Sequence, residues 1–400
     1  MNHVSPDQVG LCASRLDRLD TLLQRLIDNQ ELAGTVTLVA RQGQVAHFKA
    51  QGWQDLETRR PMGRDSLFRI YSMTKPITSV AVLMLFEEGH FRLTDPVAGF
   101  IPAFADLCIC NGPGYTGLNL EPLRRPITIR DLLTHTAGLS YGFYEDSPVE
   151  QLYRDAALFD STCSLPDMLE KLVRIPLMFQ PGTAWRYSMA SDVLGRLVEV
   201  VSGRPLDRFF ADRIFEPLDM AETFFHVPED KLHRLAAIYQ PADEGGLELT
   251  GDEWRKDLFD PSNCLLLGGS GLVSTATDYV RFCQMLLNRG ELNGARLLGR
   301  KTVALMTANH IPPDQLPLQT GPTTMDGYGF GLGVRVMLDP AQAKRLGSVG
   351  EYGWAGLATT YFFIDPREDL IGILMAQLIP PETHPVRIDF HNAVYQALVD

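Results

Sequence analysis

Residues 69–89 read RIYSMTKPITSVAVLMLFEEG, and this stretch decides how the chain is read. Ser72 and Lys75 stand three apart where a strongly apolar helix begins, with Pro76 directly after them. Proline is tolerated there because the first N–H groups of a helix have no intrahelical acceptor. Residues three apart share a helix face, so hydroxyl and amine meet at the positive end of the helix dipole. A serine cap beside an exposed lysine would give the same letters. The two readings separate on whether the rest of the chain supplies partners for a nucleophile.

A serine at a helix head has its own backbone N–H free to face a developing oxyanion. The helix end and partial burial both disfavour a charged Lys75, which suits a lysine that takes or relays a proton near neutral pH. A third group is expected. RYSMASDVLGRLVEVVSG (186–203) offers Tyr187, just before a helix that Ser188 or Ser191 would cap and Gly203 would end. Most tyrosines in such places only pack. A competing serine lies in GLSYG (138–142), which matches G-x-S-x-G. That motif needs a buried strand before it and a helix after it. TIRDLLTHTA (128–137) has helical spacing instead, and FYEDSPVE follows. Ser140 reads as a decoy.

The chain has 400 residues, 45% hydrophobic and 21% charged, an ordinary globular composition long enough for two domains. A net charge of −13 with no basic cluster argues against nucleic acid and anionic membrane as partners. The N-terminus lacks the apolar core of a secretory signal, and the longest apolar runs are too short to span a bilayer, so a cytoplasmic protein is expected. Six cysteines are scattered; Cys108 and Cys110 form the one close pair, without matching His or Cys at metal-site spacing. Free thiols, no metal and no cofactor are expected.

SRLDRLDTLLQRLID (14–28) has leucines at helical period. TVTLVA (35–40) and QVAHFKA (44–50) flank Arg41-Gln42-Gly43 as a hairpin. Residues 93–265 differ: short helical patterns, many prolines, and irregular links such as 108–126. Strand patterns return in 327–338, 357–364 and 370–378, and 385–399 closes as a helix. An α/β fold is expected, with a mainly antiparallel sheet built from 1–92 together with 266–400 and flanked by helices. Residues 93–265 would form an inserted helical, loop-rich domain, with the active site in the cleft between the two.

Ser72-Met73-Thr74-Lys75, Tyr187-Ser188-Met189 and Trp354-Ala355-Gly356 resemble, in order, the three motifs of serine β-lactamases and penicillin-binding proteins. The likeness is greatest to the family VIII carboxylesterases, which share the class C β-lactamase fold. LLTHTAGLSY (132–141), FQPGTAWRYS (179–188), GGSGLVSTATDYVRF (268–282) and GYGFGLG (327–333) extend it over nearly the whole chain. The resemblance implies that Ser72 is acylated. It implies Tyr187 as general base, as a phenolate or through Lys75, whose charge would have to lower the phenol. It also implies Ser72 and Leu357 as backbone oxyanion donors.

Where β-lactamases carry Lys-Thr-Gly and Tyr-x-Asn, this chain has Trp354-Ala355-Gly356 and Met189. An indole, a methyl and a thioether replace a charge and several donors, which implies an apolar pocket for neutral acyl chains. Tyr141 matches a pocket tyrosine of these esterases; His135 reads as structural. The expected function is hydrolysis of short or medium acyl esters, with a small-molecule ester as partner. A β-lactamase, a D-amino-acid peptidase or amidase, an acyltransferase and a non-catalytic binding relative are the alternatives.

Overall fold

The computed structural model describes residues 1–114, 117–250, 263–320 and 323–400. Its centre is an eight-stranded antiparallel sheet assembled from both ends of the chain. The N-terminal part gives β1 (Gly34–Arg41), β2 (Gln44–Asp55) and β3 (Arg60–Pro61); the C-terminal part gives β4 (Tyr328–Phe330), β5 (Arg335–Met337), β6 (Tyr352–Ala355), β7 (Tyr361–Asp365) and β8 (Leu370–Met375). The strand order is β4-β5-β6-β7-β8-β1-β2-β3, so β1 closes the two halves by pairing Leu38 with Ile373. Gln42 and Gly43, both at positive φ, make the tight turn between β1 and β2.

Residues of period two sort onto two faces. Leu38, Ile371, Ile373 and Phe362 join one apolar cluster; Val39, Leu370, Leu374 and Phe363 join the other. The second cluster is covered by α1 (Ala13–Asp28), through Leu16, Leu19 and Leu23, and by the C-terminal helix (Val386–Tyr395), through Phe390 and Val394. The C-terminal helix is also pinned by polar groups. Tyr395 Oη lies 2.7 Å from both Glu351 Oε2 and Asp365 Oδ2, and His391 Nε2 lies 2.8 Å from Glu351 Oε2.

The opposite face carries α2 (Thr74–Glu87), whose residues 74–85 are all buried. A helix buried around its whole circumference belongs at a centre, not at a surface. The first cluster runs on from α2 into the middle of the chain. There it meets α3 (Ile129–Leu133), α4 (Pro148–Asp155), α5 (Leu165–Leu172) and α6 (Ala190–Ser202).

Several local expectations are corrected. Residues 108–126 are no irregular link, because Cys108–Gly114 pairs with Gly117–Pro122 as a hairpin. The run 327–338 is two strands, since Gly333 at φ +89 turns the chain between them. Residues 357–360 form a turn, and β6 just before them was not anticipated. The helix after Tyr187 is capped by Met189, not by Ser188 or Ser191.

Candidate active site

The segment entering α2 is held from several sides. Gln377 accepts the Arg69 N–H at 3.2 Å and donates to the Arg69 carbonyl at 3.1 Å. Tyr279 Oη donates to the Met73 carbonyl at 2.8 Å, and Thr74 Oγ1 accepts the Leu272 N–H at 3.2 Å. Tyr71 sits at φ +42, a costly conformation for a tyrosine. It starts the single 3₁₀ turn Tyr71–Met73 that feeds α2. Ser72 lies in that turn and is half-buried, while its neighbours on both sides are buried.

Lys75 is buried, 1% exposed. Its Nζ donates to Ser72 Oγ at 3.1 Å and to the Gly269 carbonyl at 2.7 Å. The GGSG stretch that carries this carbonyl threads between α2 and α6. A Cβ on Gly268 would come within 2.6 Å of the Ser191 carbonyl and 3.3 Å of Thr78 Cγ2, so the approach requires glycine. Thr78 Oγ1 donates to the Gly268 carbonyl at 2.6 Å, and Asp192 Oδ1 accepts the Gly269 N–H at 2.8 Å. Burial pulls the Lys75 ammonium down to about 7, against the nearby Asp192 carboxylate, which holds it up. Burial likewise raises Asp192 to about 6, with Lys75 opposing.

Tyr187 Oη donates to Ser72 Oγ at 2.6 Å and accepts from Trp354 Nε1 at 3.4 Å. Its ring is enclosed by Tyr141 and Trp354 at 5.3 Å and by His135 at 5.0 Å. Lys75 Nζ lies over the ring face, 4.7 Å from its centre. Burial pushes the phenol well above its ordinary range. The expectation that Lys75 lowers it is therefore not met. His135 is buried and neutral, its pKa lowered by burial and then by Lys75, and its Nδ1 lies 3.1 Å from Ser188 Oγ. That is a packing role.

The strand carrying Trp354 passes against the entry to α2. A Cβ on Gly356 would run into the Ile70 carbonyl and Thr360 Oγ1. The Gly356 N–H donates to the Thr360 carbonyl at 2.9 Å. The backbone N–H groups of Ser72 and Leu357 donate to no group among the described residues. Both residues are half-buried, so two spare backbone donors beside a nucleophile can receive an oxyanion.

Tyr141, 8% exposed, stands beside Tyr187 and carries Phe143, near-parallel at 4.7 Å. Two other expected pocket residues are placed elsewhere. Met189 is fully buried, so its thioether faces no opening. Ala355, opposite to Trp354 by strand alternation, packs toward the α1 face of the sheet. Ser140 is 0% exposed, with its hydroxyl bonded to Glu150 and accepting Arg186 Nε at 2.8 Å. It is a structural link. The sequence reading missed Asp192, although an acid in the first turn of an otherwise apolar helix stretch marks it.

Among the described residues no His, Cys, Asp and Glu group could hold a metal ion, and no helix is long and apolar enough to cross a membrane. All six cysteines are free thiols.

The beta-lactamase family profile matches residues 19–396. Protein Rv1367c of Mycobacterium tuberculosis is 34% identical over 91% of this chain and 90% of its own. Esterase EstB of Burkholderia gladioli is 31% identical over 96% of both. Among solved structures, EstCE1, a hydrolase with promiscuous acyltransferase activity, superposes with a TM-score of 0.79 at 28% identity, covering 96% of this chain and 99% of that one.

Proposed function

This chain belongs to the beta-lactamase family, and within it we propose a serine carboxylesterase that forms an acyl-enzyme on Ser72. One observation carries the reading: Ser72 is half-buried, and its Oγ is met by Tyr187 Oη at 2.6 Å and Lys75 Nζ at 3.1 Å. With Lys75 neutral, the hydroxyl of Ser72 donates to its amine. Tyr187, kept protonated by burial, donates to Ser72 Oγ and fixes its lone pairs. Ser72 Oγ attacks the ester carbonyl as its proton passes to Lys75. The N–H groups of Ser72 and Leu357 receive the oxyanion. The bond to the alcohol oxygen then breaks, the alkoxide takes the proton from Lys75, and the acyl group stays on Ser72. Water repeats the sequence: it gives a proton to Lys75, attacks the acyl carbon, and releases Ser72 with that proton.

Trp354 supports a neutral ester over a β-lactam. Its indole spans the space beside Tyr187 and brings no charge for a substrate carboxylate. Burying such a carboxylate without a partner is costly. A hydrogen bond to a charged group contributes about 1.5–3 kcal/mol, so its loss means roughly a 10- to 150-fold lower affinity. Similarity to EstB and EstCE1 points the same way. Comparing kcat/KM for p-nitrophenyl butyrate, a chromogenic cephalosporin and a D-alanyl anilide tests the substrate class. The ester is expected to lead by at least that factor. A cephalosporin value equal to or above it would make this a β-lactamase. The similarity to EstCE1 also favours acyl transfer as a side reaction, which added alcohol would reveal as a new ester product.

A further inference from the structure

Arg387 has no explanation in the fold alone. It stands in the first turn of the C-terminal helix, at the positive end of the dipole, where a cation is disfavoured. No carboxylate among the described residues lies within ion-pair distance of its guanidinium; Glu382 acts on it only from further away. Its Nε is buried without an acceptor. Burial lowers it to about 10, so it remains charged at neutral pH. Arg387 is half-buried as a residue, yet a guanidinium nitrogen closed off without an acceptor still costs stability. The C-terminal helix does not need it for docking, since His391, Tyr395, Phe390 and Val394 already hold that helix to the sheet.

The hydrogen bond that Arg387 does make is informative. Its Nη2 donates to the carbonyl oxygen of Gly356. That carbonyl belongs to the same peptide unit as the Leu357 N–H. A hydrogen bond to an amide oxygen draws electron density from the nitrogen and makes the N–H a stronger donor, and charged donors do so most. The same bond fixes the peptide's rotation, so its N–H keeps its aim while negative charge grows on the substrate.

We propose that Arg387 is a positioning residue of the oxyanion site, gripping the Gly356 carbonyl so that the Leu357 N–H is aimed and polarised toward the substrate oxyanion. The inference rests on the acyl-enzyme reading above. Arg387 touches no reacting atom; it acts through one peptide. Its effect belongs to the transition state, where the oxyanion exists, and not to the bound ester.

The test is a series, Arg387→Lys, Arg387→Gln and Arg387→Met, in the full-length protein. Each variant is assayed for kcat and KM on p-nitrophenyl butyrate. Each is also assayed for inhibition by an alkyl trifluoromethyl ketone, which Ser72 converts to a tetrahedral oxyanion. Arg387→Met is expected to lower kcat roughly tenfold, short of the 10²–10³ that removing an oxyanion donor outright costs. KM should stay near wild type, and the ketone should bind more weakly by the same factor as kcat/KM. Lys and Gln should fall between, because each keeps only charge or only geometry. Folded variants with wild-type kcat and ketone affinity would overturn the proposal. If Met does not fold, Lys and Gln variants indistinguishable from wild type overturn it equally. A wild-type protein inert toward esters and ketone would overturn the acyl-enzyme reading itself, which is a different result.

Discussion

Lys75 sits where two opposing influences meet. Burial favours the free amine, and the Asp192 carboxylate favours the ammonium. If the neutral amine is the proton acceptor, kcat/KM rises with pH and levels off above about 7. Asp192→Asn keeps an acceptor for the Gly269 N–H but removes the charge that holds the ammonium up. The rising limb should therefore shift to lower pH, with kcat at high pH changed little. A pH–rate profile of both proteins checks this, and a limb that stays put or moves upward contradicts it. Ser140 offers the complementary case. Ser140→Ala removes a partner from Arg186 and from the fully buried Glu150. It should lower stability by about 1–3 kcal/mol, read from the denaturation midpoint, while ester turnover survives. Ser72, Lys75 and Tyr187 were legible because each announces its chemistry in its own side chain. Asp192 and Arg387 act through the backbone of Gly269 and Gly356, and a peptide group has no letter of its own.

Strand β6 and helix α2 form the two walls that bring the spare N–H groups together. Their separation is set by Gly356, whose Cα hydrogen faces the Ile70 carbonyl. Gly356→Ala would force these backbones apart and move the Leu357 N–H from its place. Loss of one oxyanion donor costs about 10²–10³ in rate, so kcat should fall by about that much with native-like circular dichroism. Near-normal kcat in a folded variant would show that this backbone is not part of the oxyanion site. The short, largely apolar runs in 35–40 and 370–378 made β1 and β8 readable, because both faces of those strands are buried. β6 was not readable. YGWA is four residues long, and its register follows from pairing with β7, Trp354 opposite Phe362, not from any period of its own. The break in 327–338 was missed for a related reason: the apolar run is continuous, and only Gly333 at φ +89 reverses it.

Across the whole molecule, residues 72, 187 and 354 meet because a sheet built from both ends of the chain is closed by β1 on β8. No local pattern places them together; their order along the chain, matched as a set of three motifs, made the site legible before the fold was. The central proposal is that Ser72 alone among the serines of this chain carries the acyl group. Reaction with a fluorophosphonate followed by peptide mapping by mass spectrometry tests it most directly. The predicted result is a single adduct on Ser72, absent from Ser72→Ala and strongly slowed in Lys75→Ala. An adduct on Ser140, or none on folded protein, would contradict it.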